Sequence, residues 1–222
     1  MRLYISFLMC YLISLGSCAQ KASNQQKELN NVKTEMKVSN KNLPLDTITL
    51  GGGCYWCVEA VYEMLEGVVS VESGFAGGNL KNPTYHEVCT GNTGHAEVVQ
   101  IVFNTSKMDV MNILKVFFTV HDPTTINRQG GDVGTQYRSV IFYRNDYQQK
   151  LAGQIIDQLN AEKVFDMPVV TSLEKFTVFY RAEDEHQDYY MLNKEKPYCR
   201  MVIQPKIEKF EKLFKSRLRN HD

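Results

Sequence analysis

The stretch Asp46-Thr47-Ile48-Thr49-Leu50-Gly51-Gly52-Gly53-Cys54-Tyr55-Trp56-Cys57-Val58-Glu59-Ala60 decides how the rest of the chain is read. Its first five residues alternate and are rich in β-branched side chains, the pattern of a strand. From Trp56 the apolar residues Trp56, Ala60, Val61, Met64 and Leu65 recur at helical spacing as far as Gly67, which predicts a helix. A strand therefore runs through three glycines directly into a helix. Cys54 stands at or beside the helix N-terminus, where unpaired N–H groups and the helix dipole favour an anion. A thiolate is such an anion, so the position predicts a lowered thiol pKa and a reactive Cys54. Cys57 follows at the spacing of a redox dithiol. Tyr55 and Trp56, the single tryptophan, lay aromatic surface beside the thiol. Such rings suit a methyl group or thioether better than a charged ligand.

Outward from this stretch, residues 68–73 and 96–103 read as strands and 74–94 as a long loop. Residues 108–121 form an apolar-rich helix, and 122–137 a second long loop. A strand at 139–143, a helix at 146–163, a strand at 171–180 and a short helix at 183–193 follow. The last helix, within 205–218, carries Ile207, Phe210, Leu213 and Phe214 on one face. Its lysines, Lys206, Lys209, Lys212 and Lys215, read as a solvated face. Strands and helices intermingle, so the fold class is α/β (α+β): a two-layer α/β sandwich around a mixed β-sheet, a single domain at 44–218. Long loops are where binding sites tend to lie.

The 222 residues carry 25 Lys+Arg and 25 Asp+Glu, and this balance gives no support for a nucleic-acid partner. Arg2 followed by an uncharged apolar run over 3–15 reads as a signal peptide (1–17), shorter than the roughly 20 residues that span a bilayer. Leu15-Gly16-Ser17-Cys18 resembles a bacterial lipobox, which makes Cys18 the lipidation site. A plain secretory peptide cut near Ser17-Cys18-Ala19 is the alternative. Residues 18–43, polar and rich in Asn, Gln and Lys, read as a flexible tether. The expected location is the bacterial cell envelope, on the periplasmic side, as a membrane-anchored lipoprotein that meets the membrane only through its lipid. A monomer is the default. The six cysteines are too unevenly spaced for a disulfide scaffold. A zinc site would want a second close pair of ligands beside Cys54 and Cys57, and Cys89, Cys199 and the five scattered histidines offer none.

Gly52-Gly53-Cys54-Tyr55-Trp56-Cys57-Val58-Glu59-Ala60 resembles the active-site signature of the peptide methionine sulfoxide reductase A family. Six further blocks resemble it in family order: 73–78, 83–89, 91–97, 121–124, 130–139 and 182–187. The resemblance implies an enzyme that reduces the S epimer of methionine sulfoxide, free or in proteins, with no metal or organic cofactor and with thioredoxin or a similar dithiol as reductant. It implies Cys54 as the nucleophile and Glu97 as an acid, which burial would keep neutral. It implies Tyr85 and Tyr137 as donors to the sulfoxide oxygen, Asp132 as an orienting group, and Tyr55 and Trp56 as the clasp on the substrate methyl. The family's commonest residue at position 55 is Phe, and at position 57 Gly, so this chain adds a hydroxyl and a thiol. The thiol that resolves the Cys54 sulfenic acid is therefore open: Cys199, favoured by its place near the C-terminus, Cys57 by a shorter route, or a small external thiol. Cys89 reads as buried and unreactive, and His95, His121 and His186 take no role. The rival to a repair enzyme is a lipid-anchored thiol–disulfide carrier, which needs the dithiol but neither Glu97 nor the tyrosines.

Overall fold

Strand β1 (Leu45–Gly52) is half-exposed at its start and buried from Ile48 onward, because both of its edges and both of its faces are covered. It pairs antiparallel with β3 (Ala96–Asn104), from Leu45↔Asn104 to Leu50↔Val99, and with β6 (Ser139–Tyr143), from Thr49↔Phe142 to Gly52↔Ser139. The computed structural model describes residues 44–219. The leader, Cys18 and the tether expected at 1–43 lie outside the described residues. Strand β2 (Val68–Ala76) pairs antiparallel with β3, and β7 (Ser172–Lys175) pairs parallel with β6. With β8 (Phe179–Arg181) the order is β7-β6-β1-β3-β2-β8, a mixed six-stranded sheet. A two-residue hairpin of β4 (Arg128–Gln129) and β5 (Asp132–Val133) stands apart in the 122–137 loop.

The single strand expected at 171–180 is two strands, and they occupy opposite edges of the sheet. In a flat sheet those edges would lie roughly 24 Å apart, at about 4.8 Å per strand interval. The four steps from Lys175 to Phe179 reach only about 14 Å. The sheet must therefore curl until its edges meet. Phe176 and Phe179, at the crossing, pack against Ala76, Ala96, Val98, Val140 and Phe142, which fill the inside of the curl. The break separates two pairings that no single straight strand could make.

Helix α1 (Tyr55–Glu63) lies on the outer face of the sheet against β2, β3 and β1. Helix α2 (Tyr85–Cys89) was not expected within the 74–94 loop. It is held by a capping box in which Thr84 Oγ1 accepts from the Glu87 N–H and Glu87 reaches back to the Thr84 N–H. Helices α3 (Val110–Val120) and α4 (Asp146–Ala161) are N-capped by Asp109 and Asn145. The helix expected at 183–193 is a 3₁₀ turn, Asp184–His186, and a short α5 (Tyr189–Leu192), separated by Asp188 in the left-handed region at φ 50°. A π turn, Cys199–Ile203, feeds α6 (Gln204–Phe214), whose Ile207 and Phe210 are buried. The α/β class and the mixed sheet are those read from the sequence.

Candidate active site

The strand–glycine–helix junction sets the position of Cys54. Gly53 has φ +89°, and a Cβ there would lie 2.5 Å from Gln129, so no other residue fits without strain. Gln129 is itself fixed by two hydrogen bonds to the Asp122 backbone. Behind the loop, a Cβ on Gly52 would press on Phe117 and His121. His121 Nδ1–H donates to the Phe117 carbonyl at 2.6 Å, so Nε2 accepts from Ser139 Oγ at 2.8 Å. Burial lowers its pKa to about 4, and this neutral ring is a strut under the loop. His95 is likewise fully engaged, by the Gly78 N–H and the Leu80 carbonyl.

Cys54 is the N-cap of α1, makes no side-chain cap bond and is 4 % exposed. The lowered pKa expected from the helix N-terminus is not what the site produces. Burial pushes the Cys54 thiol well above its ordinary value, with the neighbouring Cys57 and Glu97 adding to the rise. Desolvation of a charge outweighs the partial charge of one helix end. The Cys57 thiol moves the other way, because it accepts a hydrogen bond from Cys54 and faces the Lys206 ammonium. Lys206 Nζ lies 3.5 Å from Cys57 Sγ. Of the two sulfurs, Cys57 is therefore the one whose surroundings favour a charge, and Cys54 the one whose surroundings oppose it. Lys206, read from the sequence as part of a solvated face, is half-buried in the site.

Glu97, on β3, is 2 % exposed, and its Oε2 accepts from the Tyr55 N–H at 3.1 Å. Burial raises its pKa to about 8, so it is mostly a neutral acid at pH 7. Tyr85, Tyr137 and Tyr55 all lie close enough for the Glu97 charge to raise their own pKa values, after burial as the main cause. Asp132, presented by the β4–β5 hairpin, accepts from Tyr198 Oη at 2.9 Å. The same Tyr198 hydroxyl lies beside Cys54 and is itself raised by a charge there, after burial as the main cause. Tyr55 is buried in the ring cluster, its Oη without a partner. Trp56 is half-buried and stacked by Tyr189 at 3.7 Å between centroids. Tyr85 and His186 complete the wall, with ring centroids 4.3 Å apart.

Cys54, Cys57, Glu97, Tyr85, Tyr137, Asp132, Tyr55 and Trp56 are thus drawn into one site. Cys199 is buried at the head of the π turn, and the charges that bear on it are those of Lys196 and Cys57. Cys89 is exposed rather than buried, because α2 is a single turn on the surface. Sequence reading missed Tyr198, Tyr189, Lys206 and Glu59. Glu59 is a second buried carboxyl, 1 % exposed and raised to about 7 by burial, facing Ser73 and the start of α5. Among the described residues no cluster of three or more His, Cys, Asp or Glu could hold a metal ion.

Comparison with known proteins identifies the family. Residues 46–218 match the family described as peptide methionine sulfoxide reductase. The peptide methionine sulfoxide reductase MsrA of Saccharolobus solfataricus is 54% identical over 178 residues, 80% of this chain and 99% of that protein. The protein of the same name from Polynucleobacter asymbioticus is 49% identical over 181 residues, 81% and 95% of the two chains. Among solved structures, the reduced form of Mxr1 from Saccharomyces cerevisiae matches with a TM-score of 0.66 at 34% identity, covering 70% of this chain and 90% of that one. The matched 46–218 cover nearly all of the described 44–219, so the chain belongs to the peptide methionine sulfoxide reductase family.

Proposed function

We propose that the protein reduces the S epimer of methionine sulfoxide, free or within oxidised proteins, through the Cys54–Cys57 pair with Glu97 as acid. The observation that carries this reading is a buried carboxyl with a pKa of about 8, held on the Tyr55 N–H between the buried thiols Cys54 and Cys57 in the chain. A thiol carrier has no use for a tyrosine-lined aromatic niche around its acid, whereas sulfoxide oxygen leaves readily only when protonated.

As Cys54 attacks the sulfoxide sulfur, its proton passes to Cys57. Glu97 gives its proton to the oxygen, and Tyr85 and Tyr137 donate to that oxygen as charge builds on it. The hydroxyl passes from the substrate sulfur to Cys54, so the substrate S–O bond and the transient S–S bond both break, Cys54 becomes the sulfenic acid, and methionine leaves with the electron pair on its sulfur. Tyr55 and Trp56 flank the substrate methyl, and Asp132 orients the site through Tyr198. An arriving sulfoxide has to displace the Tyr198 hydroxyl from Cys54. Cys57 then returns a proton to Glu97 and attacks the Cys54 sulfur. An S–S bond forms, and hydroxide departs with the Glu97 proton as water.

Proximity favours Cys57 over Cys199 for this first disulfide, because Cys57 sits in the same turn as Cys54, its N–H donating to the Cys54 carbonyl at 3.1 Å. Cys199, on which a Cys57 charge bears, then receives the disulfide and passes it to thioredoxin or a similar dithiol once the C-terminal segment exposes it. The test is a single turnover with each sulfoxide epimer and no reductant, followed by peptide mapping. The expected result is one methionine from the S epimer and a Cys54–Cys57 bond. Consumption of the R epimer would reject the specificity, and a Cys54–Cys199 bond appearing first would reject Cys57.

The lipid anchor on Cys18 and an envelope location, on the periplasmic side, belong to the same reading, supported by the Leu15-Gly16-Ser17-Cys18 motif. Two acyl chains anchor stably where one is marginal. Palmitate labelling of the full chain should disappear in Cys18→Ala, and equal labelling of both would refute the anchor.

A further inference from the structure

Helix α6 begins 147 residues after Cys57 and still brings a cation onto the Cys57 sulfur. Lys206 Nζ is 3.5 Å from Sγ, while Lys209, one turn on, is exposed. The sulfur is buried, so a charge on it has little water to stabilise it and depends on this neighbour. The other titratable groups around it work differently. Cys54 donates a hydrogen bond only while it is a thiol, and it loses that role once oxidised. Asp132 on the hairpin and Glu97 on β3 repel a charge on Cys57 when they are ionised. Cys199 and Tyr198 on the C-terminal segment are themselves raised by that charge. After the first half-reaction, Lys206 is the one cation among these groups.

We propose that Lys206 is a positioning residue for the second half-reaction, its ammonium holding Cys57 as a thiolate, once the Cys57 proton has gone to Glu97, and keeping that sulfur aimed at the Cys54 sulfenic acid. This rests on Cys57 as the first resolving thiol. In that step the Cys57 sulfur forms the S–S bond, the Cys54 S–O bond breaks, and hydroxide takes the Glu97 proton and leaves as water. Cys57 is oxidised, Cys54 is reduced, and Lys206 keeps its charge throughout. Attack rate follows the thiolate fraction, so loss of the ammonium slows closure at neutral pH and higher pH restores it.

The experiment uses the full chain with one equivalent of methionine S-sulfoxide and no reductant. Methionine release and sulfenic acid lifetime are read separately, the latter by trapping with dimedone from pH 6 to 10. In Lys206→Met and Lys206→Gln the sulfenic acid at pH 7 should persist about ten-fold longer than in wild type, corresponding to about one unit in the thiol pKa. The delay should vanish by pH 10. Lys206→Arg should restore closure, and Lys209→Met should behave as wild type. A wild-type lifetime in both Lys206 variants, or a delay equal at every pH, overturns the proposal. A first disulfide at Cys54–Cys199 in wild type removes its foundation and overturns it as well. Absence of methionine release in wild type would instead strike the catalytic reading itself.

Discussion

Cys54→Ser should release no methionine from the S-sulfoxide, with the rate down about 10⁴-fold or more, as for removal of other enzymic nucleophiles. A serine hydroxyl fits the same space, but in a site that already resists charge on a thiol it will not ionise. The fold should survive. Cys54 makes no cap bond to α1, and the junction is fixed instead by Gly53 against Gln129 and by His121 beneath Gly52. Cys57→Ser should separate cleanly from it. Methionine would still form, because the attacking sulfur and the acid remain, but the sulfenic acid would outlive the turnover and close only slowly onto Cys199. The measurement is methionine by chromatography together with the thermal midpoint of each variant. Methionine release within ten-fold of wild type from a folded Cys54→Ser would place the chemistry on another sulfur.

Local pattern made some of this legible and could not have made the rest so. The strand through Leu50, the three glycines and the helix beyond Cys54 are written in residues that touch their sequence neighbours, and they form where the spacing put them. Thr84-x-x-Glu87 is a capping-box signature, so α2 was also readable. The split at 171–180 was not, because it exists only once the sheet curls and offers two edges to one short segment. Glu97 shows a different limit. The first four residues of β3 are all buried, so alternation assigns Glu97 to no face, and only the Tyr55 N–H tells where its carboxyl points. The error at Cys54 has the same origin. The helix terminus is a local feature that favours a thiolate, whereas burial arises from packing across the whole domain, and the larger effect prevails. Lys206 looked like any lysine opposite an apolar stripe. Its partner is 149 residues away in sequence, beyond any periodicity argument.

Glu97→Gln should lower the rate of methionine release by about 10² to 10⁴, the usual contribution of a positioned acid. The amide oxygen can still accept from the Tyr55 N–H, so the loss would be of the proton and not of the geometry. In wild type the step requires the protonated carboxyl, with its pKa of about 8. Methionine release should therefore hold below pH 8 and fall about ten-fold per unit above it, and Glu97→Gln should lack that limb. The comparison also separates Glu97 from Glu59, whose pKa of about 7 would leave its own limb in both proteins. Stability should move in the opposite direction. A carboxyl with a native pKa of about 8 against an ordinary 4.5 favours folding fully below pH 4.5, and the advantage drains away as pH rises toward 8. At pH 7 the lost portion is about 3 kcal/mol, at 1.36 kcal/mol per unit. Gln carries no such dependence, so the inactive variant should melt higher than wild type near pH 8 and lose that margin at pH 4.5. An active site that keeps a carboxyl uncharged against water is less stable than its amide twin. If Glu97→Gln instead melted lower at pH 8 while retaining the falling limb, the acid would have to be sought elsewhere in the niche.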